Sequence, residues 1–517
     1  MRRATMAAAL LVLGCGGGAS ASANGDASGD GTIADASASD TIASDVVDTS
    51  IADTSANETL SETTAETIDE TSDAIAEIEA TPPTGPILPS ISCLDALTDV
   101  YVRPAGLPTY DPSHRGDVVR CALDTLLDTT TVQSQLTGKS LLDVPVTTAV
   151  QLVRIAYRTE RADGVEGIST ARVYLPSTPR PAPLPIITIG HPSNGLADSC
   201  APSMDPTSMQ DLALPWASRG YAVIAPDYAG LGNEGTQGYL DNRDTAHSLL
   251  DGARALRKLV SSDWFTSKVV MFGHSQGGGG ALSAQALAGS YGLDGTLAAV
   301  AVFSPEWPSR LNSFGFVTDM QAPTELTVIA GITKPTVAEA LAYAHSKNYT
   351  GPTYDQVTVA ANASGLANAA DTLCLTPYGG YLQGVAVHLN DLFSAAEQTT
   401  FLACVADPTS AGCTAPGQDL YQFMLGNVLH GDPAGAPILY VQAMLDTIMP
   451  ANEEAACNLD KLAADGVHPT ICTDATGIHT NVVVNNIVFA MKWAEALVAG
   501  TTPPTCTNSG MPACSLP

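Results

Sequence analysis

The sequence predicts an α/β domain, a mostly parallel central sheet with helices on both faces and one mainly helical insertion. Three observations point there. Residues 184–189, 221–225, 269–272, 298–303 and 437–443 are short runs, apolar almost throughout, with helical patterns between them. Strands buried on both faces read this way, and parallel neighbours need such crossovers. At 268–289 a strand, a tight turn and a small-residue helix follow without a gap. From about 306 to 435 the alternation stops and returns afterwards, so that segment reads as an insertion rather than a separate domain.

Taken in order, 151–157 and 169–175 read as an opening pair of strands, and 184–189 as the next. Residues 209–218 can form a helix before the strand at 221–225. Residues 243–260 form a clearer one, with Ala246, Leu249, Leu250, Ala253, Leu256 and Val260 on one face. Inside the insertion, 335–347 and 385–403 have helical patterns. After the 437–443 strand come a helix at 453–464, a strand around 468–472 and a last helix at 482–499.

Residues 1–15 have the pattern of an export signal, Arg2 and Arg3 followed by the apolar run 6–13, too short for a permanent bilayer span. Leu11-Val12-Leu13-Gly14-Cys15 resembles a lipobox, with Cys15 as the expected lipidation site. Gly16 follows it, not the aspartate that favours inner-membrane retention, so an outer-membrane anchor or secretion is expected. Residues 16–92 are a low-complexity acidic tract with fifteen Asp and Glu, no Lys or Arg and no aromatic. Such a tract cannot bury enough apolar surface to offset its ordering entropy. It reads as a disordered tether between anchor and domain, and it carries about half of the net charge of −31. That acidity argues against nucleic acid as a partner.

The packed domain spans 93–500, and 501–517 is a cysteine-containing tail. Ten of the 11 cysteines lie in these two segments, an even number in an expected exported chain, which implies up to five disulfides. Cys404 with Cys413, Cys457 with Cys472 and Cys506 with Cys514 lie close enough for local loops. The cysteine and histidine spacings are not those of a zinc site, and neither metal nor cofactor is expected.

The chemistry centres on Gly273-His274-Ser275-Gln276-Gly277, a G-x-S-x-G motif in the strand–turn–helix context that exposes a nucleophilic serine. A serine hydroxyl needs a base to take its proton and a third group to orient that base. In this architecture the partners follow in the order acid, then histidine. Asp446 lies just past the 437–443 strand, and His479 lies between the last strand and the last helix. Asp474 and Asp227 are weaker acids by position, and His191, His247, His274 and His468 weaker bases. A tetrahedral intermediate also needs N–H donors for its oxyanion. Gln276 supplies one, and the loop 191–195 should supply the other. Pro192 has no N–H, so the choice is Ser193, with Asn194 second. If the Ser193 backbone is the donor, its hydroxyl is dispensable.

Several further stretches make the resemblance specific: YVRPAGLPTYDPSHRGDVVRC, GHPSNGLADSCAPS, RGYAVIAPDYAGLGNEG, YLDNRDTAHSLLDGARAL, GHSQGGGGAL, and LDTIMP with GIHTN. Together they resemble the secretory lipase family of α/β-hydrolases, in its bacterial branch related to yeast-type lipase A. The resemblance implies an α/β-hydrolase fold with a helical cap, or lid, and a Ser275–Asp446–His479 triad acting on carboxylic esters, often of lipids. It also implies a disulfide between Cys200 and Cys374. A Cys93–Cys121 pair is expected as well. One departure is the loop, His191-Pro192-Ser193 where such bacterial members have His-Gly-Thr.

The leading expectation is therefore a cofactor-free serine esterase or lipase tethered at the cell envelope. A peptidase or acyltransferase using the same triad is the alternative among enzymes. A catalytically silent surface-binding protein is the alternative from another class.

Overall fold

The computed structural model describes residues 87–516 except 89, 179, 327–334 and 346–353. The signal-like segment 1–15, its Cys15 and the tract 16–86 lie outside the described residues. The described chain forms a nine-stranded sheet in the order β1-β2-β3-β5-β4-β6-β7-β8-β9. These are Val118–Leu127, Val150–Glu160, Glu166–Pro176, Leu184–Gly190, Val223–Ala229, Phe265–His274, Thr296–Phe303, Ile438–Ala443 and Thr470–Asp474, numbered β1 to β9 in chain order. The first three pair antiparallel, with β3 antiparallel to β5; from β5 through β4, β6, β7 and β8 to β9 all pairs are parallel.

Alternation along each strand explains why both faces are covered. Val269 and Met271 of β6 join Ile224, Val300, Val302 and Tyr440 in one apolar layer. Their neighbours Val270 and Phe272 point the other way, onto Ile187, Ala301 and Val441. The first layer is closed by α3 (Asn242–Leu259) and α4 (Gln276–Tyr291). The second is closed by α1 (Thr129–Gly138), α2 (Gln210–Ala217) and the C-terminal α13 (Val482–Ala499). Each such buried side chain contributes roughly 1.5–3 kcal/mol over leaving it exposed.

Between β7 and β8 stand α5 (Phe316–Gln321), α6 (Pro335–His345), α7 (Tyr354–Val357), α8 (Ala360–Thr372), α9 (Leu375–Val385), α10 (Ala395–Ala406) and α11 (Gly417–Asn427). They have an apolar core of their own, with Phe316, Leu341, Leu366 and Phe401 fully buried in it. The helix expected over 385–403 is broken. Asp391 accepts the His388 N–H at 2.9 Å, and Ser394 caps a fresh start by accepting from Glu397 N–H at 3.0 Å. After β8, α12 runs Ala456–Ala464.

Three expected disulfides are present, Cys93–Cys121, Cys200–Cys374 and Cys404–Cys413. Two are corrected. Cys457 pairs with Cys514 and Cys472 with Cys506, not as short local loops. The reason is the path of the tail, which runs back along β9: the Thr473 N–H donates to Thr507 O at 2.9 Å, and Thr473 Oγ1 lies 2.9 Å from Ser509 Oγ. The tail thereby covers the outer edge strand.

Candidate active site

Ser275, Asp446 and His479 all follow the carboxyl ends of parallel strands, β6, β8 and β9. Ser275 turns the chain from β6 into α4 with φ 53° and ψ −119°, a left-handed conformation that an L-residue adopts only under constraint. The constraint is visible. The Ser275 N–H donates to Phe303 O at 3.1 Å, and its carbonyl accepts from Gly279 N at 3.0 Å and Glu306 N at 2.9 Å. Gly273 and Gly277 let strand and helix meet, since a Cβ on Gly273 would lie 2.1 Å from Gly277 O.

His479 Nδ1 is 2.7 Å from Asp446 Oδ2. The other carboxylate oxygen, Oδ1, accepts the N–H groups of Ile448 at 2.9 Å and Met449 at 2.8 Å. Both side chains are buried. His479 Nε2 is buried too and has no hydrogen-bond partner among the described residues, so it is not bonded to Ser275 Oγ here. What links the serine to the imidazole is its neighbour. His274 Nε2 donates to the His479 carbonyl at 2.9 Å, and the two rings lie 4.8 Å apart. Burial, reinforced by His479, holds His274 well below the usual histidine range, so it stays neutral. The contact of His274 with the backbone of His479 was not legible in the sequence, where His274 was only a weaker candidate base.

The other candidates have structural partners. Asp474 accepts from Asn485 Nδ2 at 2.8 Å and Asn486 Nδ2 at 3.0 Å. Asp227 accepts from the Ser203 N–H at 2.8 Å, from the Ser203 hydroxyl, and from Thr170 Oγ1 at 2.7 Å. His247 stacks on Tyr291 and bonds Glu160 O at 3.0 Å, and His468 is exposed. His191 is fully buried between Tyr228, on which it stacks, and the carbonyl of Asp227, 3.1 Å from its Nε2.

The loop after β4 lies against the start of α4. A Cβ on Gly277 would fall 2.1 Å from the Gly190 carbonyl carbon and 2.6 Å from the His191 nitrogen. This contact sets Gly190 and the start of His191 beside the first turn of α4, which begins at Gln276. The Ser193 hydroxyl is not free, as its Oγ lies 2.7 Å from Tyr239 Oη. Tyr239 precedes α3 by three positions. The sequence offers no signal for its role beyond an aromatic beside the Asp241 cap.

Residues 206–338 match the family model described as secretory lipase. No curated protein matches the chain in sequence. Among solved structures, the rice cell wall degrading esterase LipA from Xanthomonas oryzae, in a ligand-bound form, superposes with a TM-score of 0.54 at 19% identity, covering 74% of this chain and 97% of that one. Candida antarctica lipase A in its closed state superposes with a TM-score of 0.55 at 16% identity, covering 81% and 90%. At these identities the likeness concerns the fold. Over 206–338 the chain thus matches the secretory lipase family model, the family its motifs resemble, and its fold is that of the α/β-hydrolases.

Proposed function

We propose that this protein is a serine hydrolase of carboxylic esters, of acylglycerol or another lipid-like kind, with Ser275 as nucleophile. The observation that carries the reading is the Asp446–His479 contact, which leaves His479 Nε2 unpartnered, together with Ser275 held at positive φ beside His274, whose ring bonds the His479 carbonyl. In this reading His479 Nε2 takes the Ser275 proton as Oγ attacks the ester carbonyl carbon. Asp446 keeps the proton of the imidazole on Nδ1, leaving Nε2 as a base, and stabilises the imidazolium once it forms. The N–H groups of Gln276 and Ser193 receive the oxyanion, at the N-terminus of α4 where the helix dipole also favours negative charge. His479 then gives its proton to the departing alkoxide, and an acyl-Ser275 remains. Water, deprotonated by the same histidine, releases the acid and restores the serine.

Residues 306–435 form the cap in this reading, and their apolar core would furnish a wall for an acyl chain. The five disulfides fit export to an oxidising compartment. The segment 1–15, lipidated Cys15 and the acidic tract 16–92 would hold the enzyme at the membrane. The neighbours' names, an esterase and a lipase, favour ester over amide substrates. A series of p-nitrophenyl esters assayed beside peptide amides tests this. Ester turnover that disappears in Ser275→Ala supports it; amide turnover without ester turnover would move the protein to the peptidases.

A further inference from the structure

We infer that Tyr239 is a positioning residue for the oxyanion loop, holding Ser193 in place from the segment that leads into α3. The inference rests on the hydrolase reading above and adds a residue to it.

The loop 191–195 is tied at its start by Tyr228 Oη, which donates to the His191 carbonyl at 2.9 Å, and beyond Ser193 by Asn194 Nδ2, which donates to Cys200 O at 3.3 Å. Pro192 has no N–H to give, and the two ring nitrogens of His191 face the carbonyls of Pro192 and Asp227, one of which takes the single N–H of the neutral ring. At Ser193 the bond that fixes the side chain is the one to Tyr239 Oη, 2.7 Å long and buried at both ends. Burial lifts the phenol well above its usual range, so it stays protonated across the working pH range, and either hydroxyl can donate in this bond.

Tyr239 is itself held from the opposite side. Its ring and Leu240 pack on Ala342, with Ala338 and Leu196 against them. Asn427, the last residue of α11, grips the same segment. Its side-chain amide donates to Leu240 O at 2.6 Å and to Glu339 Oε1 at 2.7 Å, while its Oδ1 accepts the Asn242 N–H at 2.7 Å. The helical layer thus fixes Tyr239, and Tyr239 fixes Ser193. A second tie runs in parallel, through the Cys200–Cys374 disulfide and the Leu375 N–H to Asn194 O at 2.9 Å. That one holds the far end of the loop.

A backbone donor alone would leave the Ser193 hydroxyl dispensable. As the anchor of that donor it is not, and the two side chains should act as one unit. Residues that act through one bond show non-additive effects. Tyr239→Phe is therefore expected to lower kcat on p-nitrophenyl butyrate by about 10-fold, with KM within about 2-fold of wild type. The rate of fluorophosphonate labelling should fall alongside kcat. Ser193→Ala should lose about the same, and the double variant no more than either, rather than the about 100-fold of independent effects. Ser193→Thr, which keeps the hydroxyl, should recover most of the loss.

Thermal midpoints accompany each variant, because a merely structural residue would lower stability and leave the kcat of the folded fraction unchanged. If Tyr239→Phe does not fold, the comparison of Ser193→Ala with Ser193→Thr carries the test alone. Wild-type kcat in folded Tyr239→Phe, or additive losses in the double variant, would overturn the inference while Ser275→Ala remains inactive. Hydrolysis that survives Ser275→Ala would overturn the serine hydrolase reading on which it rests.

Discussion

Asp446→Asn removes one acceptor from a carboxylate whose two oxygens are both in use. Oδ1 takes two backbone N–H groups, from Ile448 and Met449, and Oδ2 faces His479 Nδ1. An asparagine has a single oxygen. If that oxygen stays with the two N–H groups, the amide NH2 faces the imidazole as a donor. His479 must then accept at Nδ1 and hold its proton on Nε2, which leaves no base for Ser275. If the amide flips, its NH2 meets two backbone donors, leaving buried groups unpaired at about 1–3 kcal/mol. The first outcome costs less in stability and more in rate. Loss of the working tautomer is expected to lower kcat by about 10³- to 10⁴-fold, or roughly 4–5.5 kcal/mol of transition-state stabilisation. The assay is kcat on p-nitrophenyl butyrate, with a thermal melt to show that the variant folds. A folded Asp446→Asn enzyme within about tenfold of wild type would refute the orienting role assigned to Asp446.

Three other outcomes follow from the same description. Burial first, and the Asp241 charge second, lift Glu339 to about 8, so its folded form holds a proton that its unfolded form releases near the ordinary carboxyl value. Its contribution is fully present below that lower value and is lost as pH rises through about 8, a decline of roughly 5 kcal/mol. Glu339→Gln keeps the acceptor for Asn427 and cannot ionise, so its thermal midpoint should fall less between those pH values; an unchanged slope counts against this. Gly277→Ala should cost ~1–3 kcal/mol and activity together, because its Cβ drives into the Gly190 carbonyl and displaces the oxyanion loop; chemical denaturation and kcat measure both. Cys15→Ser should move the protein from the membrane to the soluble fraction or stall its processing, and unchanged fractionation would count against lipidation.

Strands buried on both faces announce themselves as apolar runs, and β2 to β8 were each legible in part for that reason, although β5 was read as ending at 225 and runs on through Pro226 and Asp227 to Ala229. β1 was not. It lies at a sheet edge, and its apolar pattern is interrupted by Arg120 and Asp124, which pair with Asp95 and Arg154. That Ser275, Asp446 and His479 each stand past the end of a strand was legible from the strands themselves. Pairings that depend on the return path of the chain were not. Nearest-neighbour logic failed for Cys457 and Cys472 because the tail lies along β9, which local sequence does not encode. Tyr239 and His274 were missed for a related reason: their partners, Ser193 and the His479 carbonyl, are 46 and 205 residues away.

The central claim is that Ser275 is the nucleophile, and a fluorophosphonate probe followed by peptide mass spectrometry tests it directly. The account predicts one adduct, on the peptide carrying Gly273 to Gly277 and located at Ser275, and none in Ser275→Ala, which should fold and hydrolyse no ester. An adduct on another residue, or ester hydrolysis persisting in the Ser275→Ala protein, would contradict it.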